Sequence, residues 1–251
     1  MKSNRGRRAT VGQSFADVLL SVIFPSRCML CGEPVESLAD GLTCAACWAT
    51  LDWLPAARCA RCHAPVKAPV EECPACPAMA LDRLRFLGPY TGALRAHLLF
   101  LKRKPYVCRR LREEIGKRVA TEPIFREVEL VLPVPLHPRR QRERGYNQAE
   151  LLAEEVARAL ICPLRRDVLR RVIYTEPHRA GMDALARARR VAQCFVITSP
   201  KAVWGKTVLL VDDVYTTGAT LNECARTVRA AGARAVYGFV VARAIGETSG
   251  S

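Results

Sequence analysis

Residues 208–220 read Val-Leu-Leu-Val-Asp-Asp-Val-Tyr-Thr-Thr-Gly-Ala-Thr and form the most informative segment of the chain. Its first four residues are apolar and predict a buried strand that ends at the carboxylates of Asp212 and Asp213. A loop of threonine and glycine follows, and a helix is predicted over residues 220–231, where Gly232 stops it. The order strand, loop, helix, strand indicates a parallel sheet with covering helices.

The same stretch has the chemistry of a site for a phosphorylated sugar. Backbone N–H groups and threonine hydroxyls at a helix N-terminus bind phosphate, and the helix dipole adds to the attraction. The two carboxylates are acceptors for vicinal ribose hydroxyls and can help to place a hydrated Mg²⁺. The alternative is an ordinary strand–turn–helix unit whose acids are solvated. The predicted ligand-binding residues are Asp212, Asp213, Thr216, Thr217, Gly218, Ala219 and Thr220.

From about Leu84 onward the chain alternates strands and helices. Apolar runs with turn signals predict strands at 86–90, 130–135 and 235–241. Apolar residues at helical spacing predict helices at 92–102, 111–119 and 147–160. The predicted fold class is therefore α/β, with a twisted parallel sheet and covering helices over residues 84–245, preceded by a small cysteine-rich module.

A second charged segment follows the strand predicted at 130–135. Residues 139–144 read Arg-Arg-Gln-Arg-Glu-Arg, which predicts a cationic loop suited to pyrophosphate. One guanidinium group can donate two parallel hydrogen bonds to phosphate oxygens. A solvated basic turn is the alternative, and Asn147 is expected to cap the helix that follows. The predicted pyrophosphate-binding residues are Arg139, Arg142, Arg144 and Lys102.

Eight of the twelve cysteines form four Cys-x-x-Cys pairs within residues 28–76. Two such pairs bring four thiolates to one tetrahedral Zn²⁺, and a site closed by four cysteines is structural because no position is left for water. This segment has too few large apolar residues to fold by burial alone, so metal binding has to supply free energy. The predicted ligands of two structural zinc sites are Cys28, Cys31, Cys44, Cys47, Cys59, Cys62, Cys73 and Cys76.

The sequence leaves open how these ligands divide between the two sites. Successive pairs can share a metal, or the first pair can join the third in a cross-braced arrangement. His63 directly follows Cys62 and is a possible substitute ligand, although a histidine beside a complete quartet is more often a bystander. Disulfides are the alternative to zinc. Thiolate sites need reduced sulfur, which predicts a cytoplasmic location.

The formal net charge of +15 favours a polyanionic partner, either nucleic acid or a polyphosphate ligand. Residues 1–13 are polar and basic and predict a disordered tail, whereas residues 14–80 predict an amphipathic helix followed by the zinc module. Asp17 and Ser21 interrupt the apolar run of this helix, which argues against a signal peptide. No run approaches the roughly 20 apolar residues of a membrane span.

Residues 208–220 closely resemble the signature of type I phosphoribosyltransferases, and the whole set of motifs resembles the ComF family of competence-associated proteins. The motifs that carry this resemblance are the four cysteine pairs, Leu101-Lys102, Pro-Val-Pro-Leu-His at 133–137, Arg-Gly-Tyr-Asn-Gln at 144–148 and the stretch 211–220. The resemblance implies a double zinc ribbon joined to a type I phosphoribosyltransferase-like domain that binds phosphoribosyl pyrophosphate (PRPP) with Mg²⁺. It also implies a role in DNA uptake, with helicase and replication-restart partners.

The sequence departs from the family pattern in the segment 175–195, which should form the loop that closes over PRPP. His178 stands where the family usually has glutamine and Arg190 where it has asparagine, whereas Arg187 matches. Two functions therefore stay open. One is Mg²⁺-dependent transfer of phosphoribosyl to an unidentified acceptor. The other is a non-catalytic scaffold or sensor that binds DNA-processing partners or single-stranded DNA. A zinc-module transcription regulator ranks last, because nothing predicts a recognition helix.

Overall fold

The computed structural model describes residues 26–35, 41–51, 57–174 and 193–244. The predicted basic tail and amphipathic helix lie outside these residues, as do His178, Arg187 and Arg190. Among the residues described, no helix combines the length and the apolar character needed to cross a membrane.

A parallel sheet and a small hairpin contain the strands of the described residues. The strands are β1 (Arg83–Pro89), β2 (Leu130–Pro133), β3 (Leu169–Arg171), β4 (Phe195–Ile197), β5 (Thr207–Tyr215) and β6 (Ala235–Arg243). Four of them form the parallel sheet in the order β1-β6-β5-β2, and β3 pairs with β4 in an antiparallel hairpin. Because all neighbours in the sheet are parallel, their carboxyl ends meet at one edge. The predicted α/β class is confirmed.

Helices cover both faces of this sheet. They are α1 (Ala45–Ala49), α2 (Gly92–Leu101), α3 (Arg109–Thr121), α4 (Pro138–Arg144), α5 (Gln148–Leu160), α6 (Pro200–Val203) and α7 (Ala219–Ala230). Alternate residues of β5 are buried on opposite faces: Val208 and Leu210 pack in a cluster with α7, whereas Leu209 and Val211 pack in a cluster with α3 and α5. Burial on both faces explains why this strand is continuously apolar in sequence.

Strand β5 is longer than the sequence predicts. It continues through Asp212 and Asp213 to Tyr215, because its backbone pairs with β6 as far as Arg243. Helix α7 begins one residue earlier than predicted, after Gly218. The two carboxylates therefore lie within a hydrogen-bonded strand, and the turn to the helix is compressed into the few residues that follow.

The segment predicted as a cationic loop is the helix α4 instead. His137 caps this helix by accepting the Arg139 N–H on Nδ1, and Pro138 occupies its first position. Gly145 ends it in the left-handed conformation, with φ of 85°. The prediction of a loop was wrong because these capping residues stabilise a helix too short to show a periodic apolar face.

Candidate functional site

Two carboxylates of β5 lie in a cavity of about 480 Å³ at the carboxyl edge of the sheet. Asp212 Oδ1 accepts the N–H of Asp213 at 2.8 Å, and Asp213 Oδ1 accepts the N–H of Val214 at 2.9 Å. Lys102 Nζ lies 3.3 Å from Asp213 Oδ2 and forms an ion pair with it, and this oxygen has no hydrogen-bond partner among the residues that the structure describes. Burial, followed by the charge of Asp213, raises the pKa of Asp212 well above its ordinary value. A second cation near the pair would favour its doubly charged form.

Residues 216–218 join β5 to α7, and together with the first residues of this helix they line a smaller cavity of about 40 Å³ beside the first. Gly218 is the N-cap of α7, with a left-handed φ of 75°, and it provides no side chain to cap the helix. No side-chain oxygen of the N-cap accepts from the first-turn N–H groups of α7, so these groups can donate to an anion. A Cβ at Gly218 would also overlap the ring of Tyr215. This helix N-terminus, flanked by threonine hydroxyls, has the properties of an anion site.

Helix α4 divides its arginines between two directions. Arg140 and Arg144 lie one turn apart and line the same cavity as the two carboxylates. One Nη atom of Arg140 is buried without a hydrogen-bond partner among the residues described. Arg139 instead pairs with Glu143 at 3.1 Å, and Arg142 is not among the described residues that line the cavity. The helix thus brings one member of the predicted arginine set, Arg144, to the acid pair and adds Arg140.

Contacts between neighbouring elements hold the cations of this cavity in place. The Tyr146 hydroxyl donates to the Leu101 carbonyl at 2.6 Å and so ties the residues before α5 to the end of α2, directly before Lys102. Arg144 contacts the side chain of Gln148 on α5. These bonds explain how Lys102 and Arg144 reach one cavity from distant parts of the chain.

Several residues that line the cavity were not assigned to the site from the sequence. They are Tyr90, Arg140, Gln148 and Arg171. The period of two in β3 places Arg171 on the same face as the buried Leu169, a signal that could have identified it. Burial lowers the pKa of Arg171. Asn147 also lines the cavity and caps α5 as predicted, since its Oδ1 accepts the Ala149 N–H at 3.1 Å.

The eight paired cysteines form two compact quartets. In each quartet the four Sγ atoms lie within 4.8 Å of one another, and the closest pairs are 3.6 and 3.7 Å apart in the first and 3.4–3.8 Å apart in the second. Zn–S bonds of about 2.3 Å at tetrahedral angles place sulfurs about 3.8 Å apart, so both quartets fit zinc. The first quartet is Cys28, Cys31, Cys44 and Cys47, and the second is Cys59, Cys62, Cys73 and Cys76.

Successive Cys-x-x-Cys pairs share a quartet, which excludes the cross-braced arrangement. His63 lies outside both quartets: its buried ring meets the Phe86 ring at 5.6 Å, and its Nε2 faces Glu122 at 3.8 Å. Burial alone would raise the pKa of Cys28, but hydrogen bonds from backbone N–H groups lower it to about 6. At Cys59 burial also raises the pKa, but hydrogen bonds outweigh it and lower the pKa to about 7. The lowered pKa of one thiol in each quartet favours the loss of its proton to a metal.

Two domain families match the chain in the order that the structure shows. Residues 19–78 match the double zinc ribbon domain, and residues 147–248 match the phosphoribosyl transferase domain. Competence protein F of Haemophilus influenzae is 29% identical over 229 residues, which are 88% of this chain and 98% of that protein. The chain is similar to this competence protein over most of its length. A zinc ribbon module followed by a type I phosphoribosyltransferase-like fold is thereby confirmed for this chain.

Other relatives of this chain match over a shorter region. Competence protein ComFC of Bacillus subtilis is 35% identical over 115 residues, 45% of this chain and 44% of that protein. DNA utilization protein YhgH of Escherichia coli is 33% identical over 115 residues, 46% of this chain and 49% of that protein. Among solved structures, glutamine PRPP amidotransferase of B. subtilis is 24% identical with a TM-score of 0.36, covering 52% of this chain and 26% of that one.

Proposed function

We propose that this chain binds PRPP with Mg²⁺ at the carboxyl edge of its sheet and transfers the phosphoribosyl group to an acceptor. The observation that carries the proposal is the meeting of three kinds of group in adjoining cavities. These are an acid pair, a helix N-terminus with threonine hydroxyls and a set of cations. Ribose hydroxyls, a 5′-phosphate and a pyrophosphate are the chemical groups that match them.

Each group acts on a different part of the ligand. The first-turn N–H groups of α7 and the hydroxyls of Thr216 and Thr217 hold the 5′-phosphate, while the acid pair accepts the ribose hydroxyls and orients the ring. Bound Mg²⁺ would supply charge neutralisation at the pyrophosphate oxygens. When the bond between the ribose C1 and the pyrophosphate oxygen breaks, Lys102, Arg140 and Arg144 stabilise the charge that develops on the leaving group.

We further propose a role in DNA uptake. Relatives of this chain are named for competence and for DNA utilization, and these names are the basis of the extension. Helicases and replication-restart proteins are the proposed partners. The cytoplasm is the proposed location, because eight zinc-binding thiols have to stay reduced.

A second candidate is a non-catalytic PRPP sensor or scaffold that binds DNA-processing partners or single-stranded DNA. Two observations favour it. The curated relatives carry names that refer to DNA utilization or competence, and the net charge of +15 suits a polyanion. Direct binding of single-stranded DNA would weaken steeply with added salt, because each phosphate contact releases counterions.

Calorimetry with PRPP and MgCl₂ tests the ligand, and pyrophosphate release tests the chemistry. The wild type should bind PRPP, and the double variant D212N/D213N should bind at least about tenfold more weakly, because each carboxylate loses its charge and one acceptor oxygen becomes an NH₂ donor while the shape of the side chain is kept. E113Q removes an exposed acid of α3 outside the cavity and should bind as the wild type does. Absence of PRPP binding by the wild type would contradict both candidates.

Binding and turnover separate the two candidates. Pyrophosphate release in a screen of nucleobase, nucleoside and amine acceptors would support the transferase. Tight PRPP binding that never leads to pyrophosphate release would exclude the transferase and support the sensor or scaffold.

A further inference from the structure

Arg243 contacts both Cys62 of the second cysteine quartet and Tyr215, the residue directly before the phosphate loop, which is defined here as residues 216–220. It is the last residue of β6 and lies in register with Tyr215 of β5. Its Nη1 donates to the Cys62 carbonyl at 3.0 Å. Its guanidinium carbon lies 5.2 Å from the ring centroid of Tyr215 and 5.6 Å from that of Phe86. Cations within about 6 Å of a ring centroid are attracted to the ring face.

Tyr215 continues this chain of contacts into the phosphate loop. Its ring occupies the space that a Cβ at Gly218 would need, so ring and left-handed turn are packed against each other. The Tyr215 carbonyl also accepts the N–H of Ala244, directly after Arg243, at 2.8 Å. A displacement of Arg243 therefore reaches the turn that orients the first-turn N–H groups of α7.

A second connection joins the zinc module to the same helix. Asn222 of α7 is buried, and its Oδ1 accepts the Ala80 N–H at 3.0 Å. Ala80 follows the turn closed by the hydrogen bond from the Met79 N–H to the Cys76 carbonyl, 2.9 Å long. The last ligand pair of the second quartet is thus linked to α7 through a few residues and one hydrogen bond.

The two quartets differ in how they meet the sheet domain. All four cysteines of the second quartet are buried, and they share one apolar cluster with Leu221 and Cys224 of α7, with Tyr215 packed against it. In the first quartet, Cys28 and Cys44 form a small separate cluster with Val35, Cys47 packs against this cluster, and Cys31 is exposed. A change in the second quartet therefore has to be accommodated beneath the phosphate loop, whereas a change in the first does not.

We propose that Arg243 is a positioning residue that couples zinc in the second quartet to phosphate binding at the phosphate loop. A filled quartet fixes the Cys62 carbonyl, and with it Arg243, Tyr215 and the turn at Gly218. The inference rests on the proposed phosphate site. Because coupling between two binding sites is reciprocal, a phosphate ligand has to strengthen zinc retention in the second quartet by the same factor.

Equilibrium competition for zinc tests this coupling in the full-length protein. The protein, loaded with two zinc equivalents, is titrated with a chromophoric chelator with and without saturating ribose 5-phosphate. This probe carries the 5′-phosphate but no pyrophosphate, so Lys102, Arg140 and Arg144 contribute little to its binding. One zinc equivalent should withstand at least about fivefold more chelator when the sugar phosphate is present, and the other should be unaffected.

Three variants assign the effect. C31S removes a ligand of the exposed first quartet. This variant should lose the zinc equivalent that ribose 5-phosphate does not protect and keep the one that it protects. R243A should lose the protection, whereas R226A, which removes an exposed arginine of α7 that pairs with Glu223, should keep it. If R243A does not fold, R243K replaces it, because lysine keeps the charge without the planar stacking surface and should lose much of the protection.

The outcomes separate this inference from the proposed function. In one outcome, calorimetry shows that ribose 5-phosphate binds, while the release of both zinc equivalents to the chelator is the same with and without it. This combination would overturn the coupling and leave the phosphate site intact. Full protection in both Arg243 variants would overturn the role of Arg243. Failure of the wild type to bind ribose 5-phosphate would overturn the phosphate site and the coupling with it.

Discussion

Lys102 Nζ lies 3.3 Å from Asp213 Oδ2, although Lys102 follows α2 and Asp213 belongs to β5. The hydrogen bond from Tyr146 to Leu101 holds the end of α2 at the carboxyl edge of the sheet and makes this approach possible. The ammonium group balances one of two adjacent carboxylates whose proximity contributes to the raised pKa of Asp212. Lys102 is therefore part of the acid site itself.

Replacing Lys102 by methionine should weaken PRPP binding about tenfold, because the acid pair and the pyrophosphate both lose a cation. Calorimetry at constant Mg²⁺ measures the change. Ribose 5-phosphate, which lacks the pyrophosphate, should lose less affinity. The matched control is K104M, which replaces an exposed lysine two residues further along the chain. It should bind PRPP as the wild type does. Unchanged PRPP affinity in K102M would contradict its place in the site.

The arginines of α4 should differ according to the face they occupy. R140A and R144A remove guanidinium groups that line the cavity, so each should weaken PRPP binding about tenfold. R142A removes an arginine of the same short helix outside the cavity and should leave PRPP affinity within about twofold of the wild type. Calorimetry on the three variants provides the comparison. Equal losses in all three would indicate a diffuse field of positive charge instead of two specific contacts.

Stability should depend on pH through Asp212 in the direction opposite to that of most acids. Burial raises its pKa in the folded protein, so the folded state holds the proton more tightly than the unfolded chain. The stability from this group is present at low pH and lost as pH rises through the folded pKa. D212N should therefore increase the free energy of unfolding at about pH 8 by on the order of 1 kcal/mol, and change it little near pH 4.

Urea unfolding of D212N and the wild type across this pH range measures the effect. Zinc loss at low pH affects both proteins, so their difference isolates Asp212. D167N provides a contrast of opposite sign, because hydrogen bonding to Arg165 lowers the pKa of the exposed Asp167 to about 2. Its removal should decrease stability at neutral pH, and the difference should vanish as pH falls through that value. A D212N variant less stable than the wild type at pH 8 would contradict the assignment.

Alanine at Gly218 should damage the phosphate loop. A left-handed φ of 75° and the ring of Tyr215 both oppose a Cβ there, so G218A should lose about 1–3 kcal/mol of unfolding free energy and most of its affinity for ribose 5-phosphate. Gly116 is the matched control: it lies inside α3, and, apart from its chain neighbours and the backbone of this helix, no described residue has an atom within 4 Å of where a Cβ would stand, so G116A should gain about 0.5–1 kcal/mol. Thermal unfolding and calorimetry measure both. Wild-type binding by G218A would argue against the loop as the phosphate site.

Repeating patterns allowed much of this fold to be predicted. The strand predicted at 235–241 is Ala235–Arg243, and the helix predicted at 92–102 is Gly92–Leu101. Both follow from apolar residues at a fixed period, which local burial enforces. The paired spacing of the cysteines likewise predicted two quartets, because a Cys-x-x-Cys turn places two thiolates on one metal in any context.

Features without a period could not be predicted in the same way. Helix α4 has no buried residue, and its caps stabilise it. Because it is a helix, Arg140 and Arg144 face the cavity while Arg139 turns to Glu143. Arg171 reaches the same cavity from the β3–β4 hairpin, far from the other cations in the chain. The order of charged residues in a segment does not indicate which of their side chains line the same cavity in the folded protein.

The segment from Val208 to Thr220 determined by itself the chemistry that this protein offers to a ligand. A buried strand, two acids and a glycine turn before a helix are local features, and short-range backbone geometry specifies them. The cysteine pairs determined their metal for the same reason. Only the tertiary structure decided that Lys102 pairs with Asp213, that successive cysteine pairs share a site, and that Arg243 lies between the second quartet and Tyr215. These relationships depend on strand order and on helix packing across the sheet. Both bring together residues that are distant in sequence, and no local sequence pattern specifies which residues will meet.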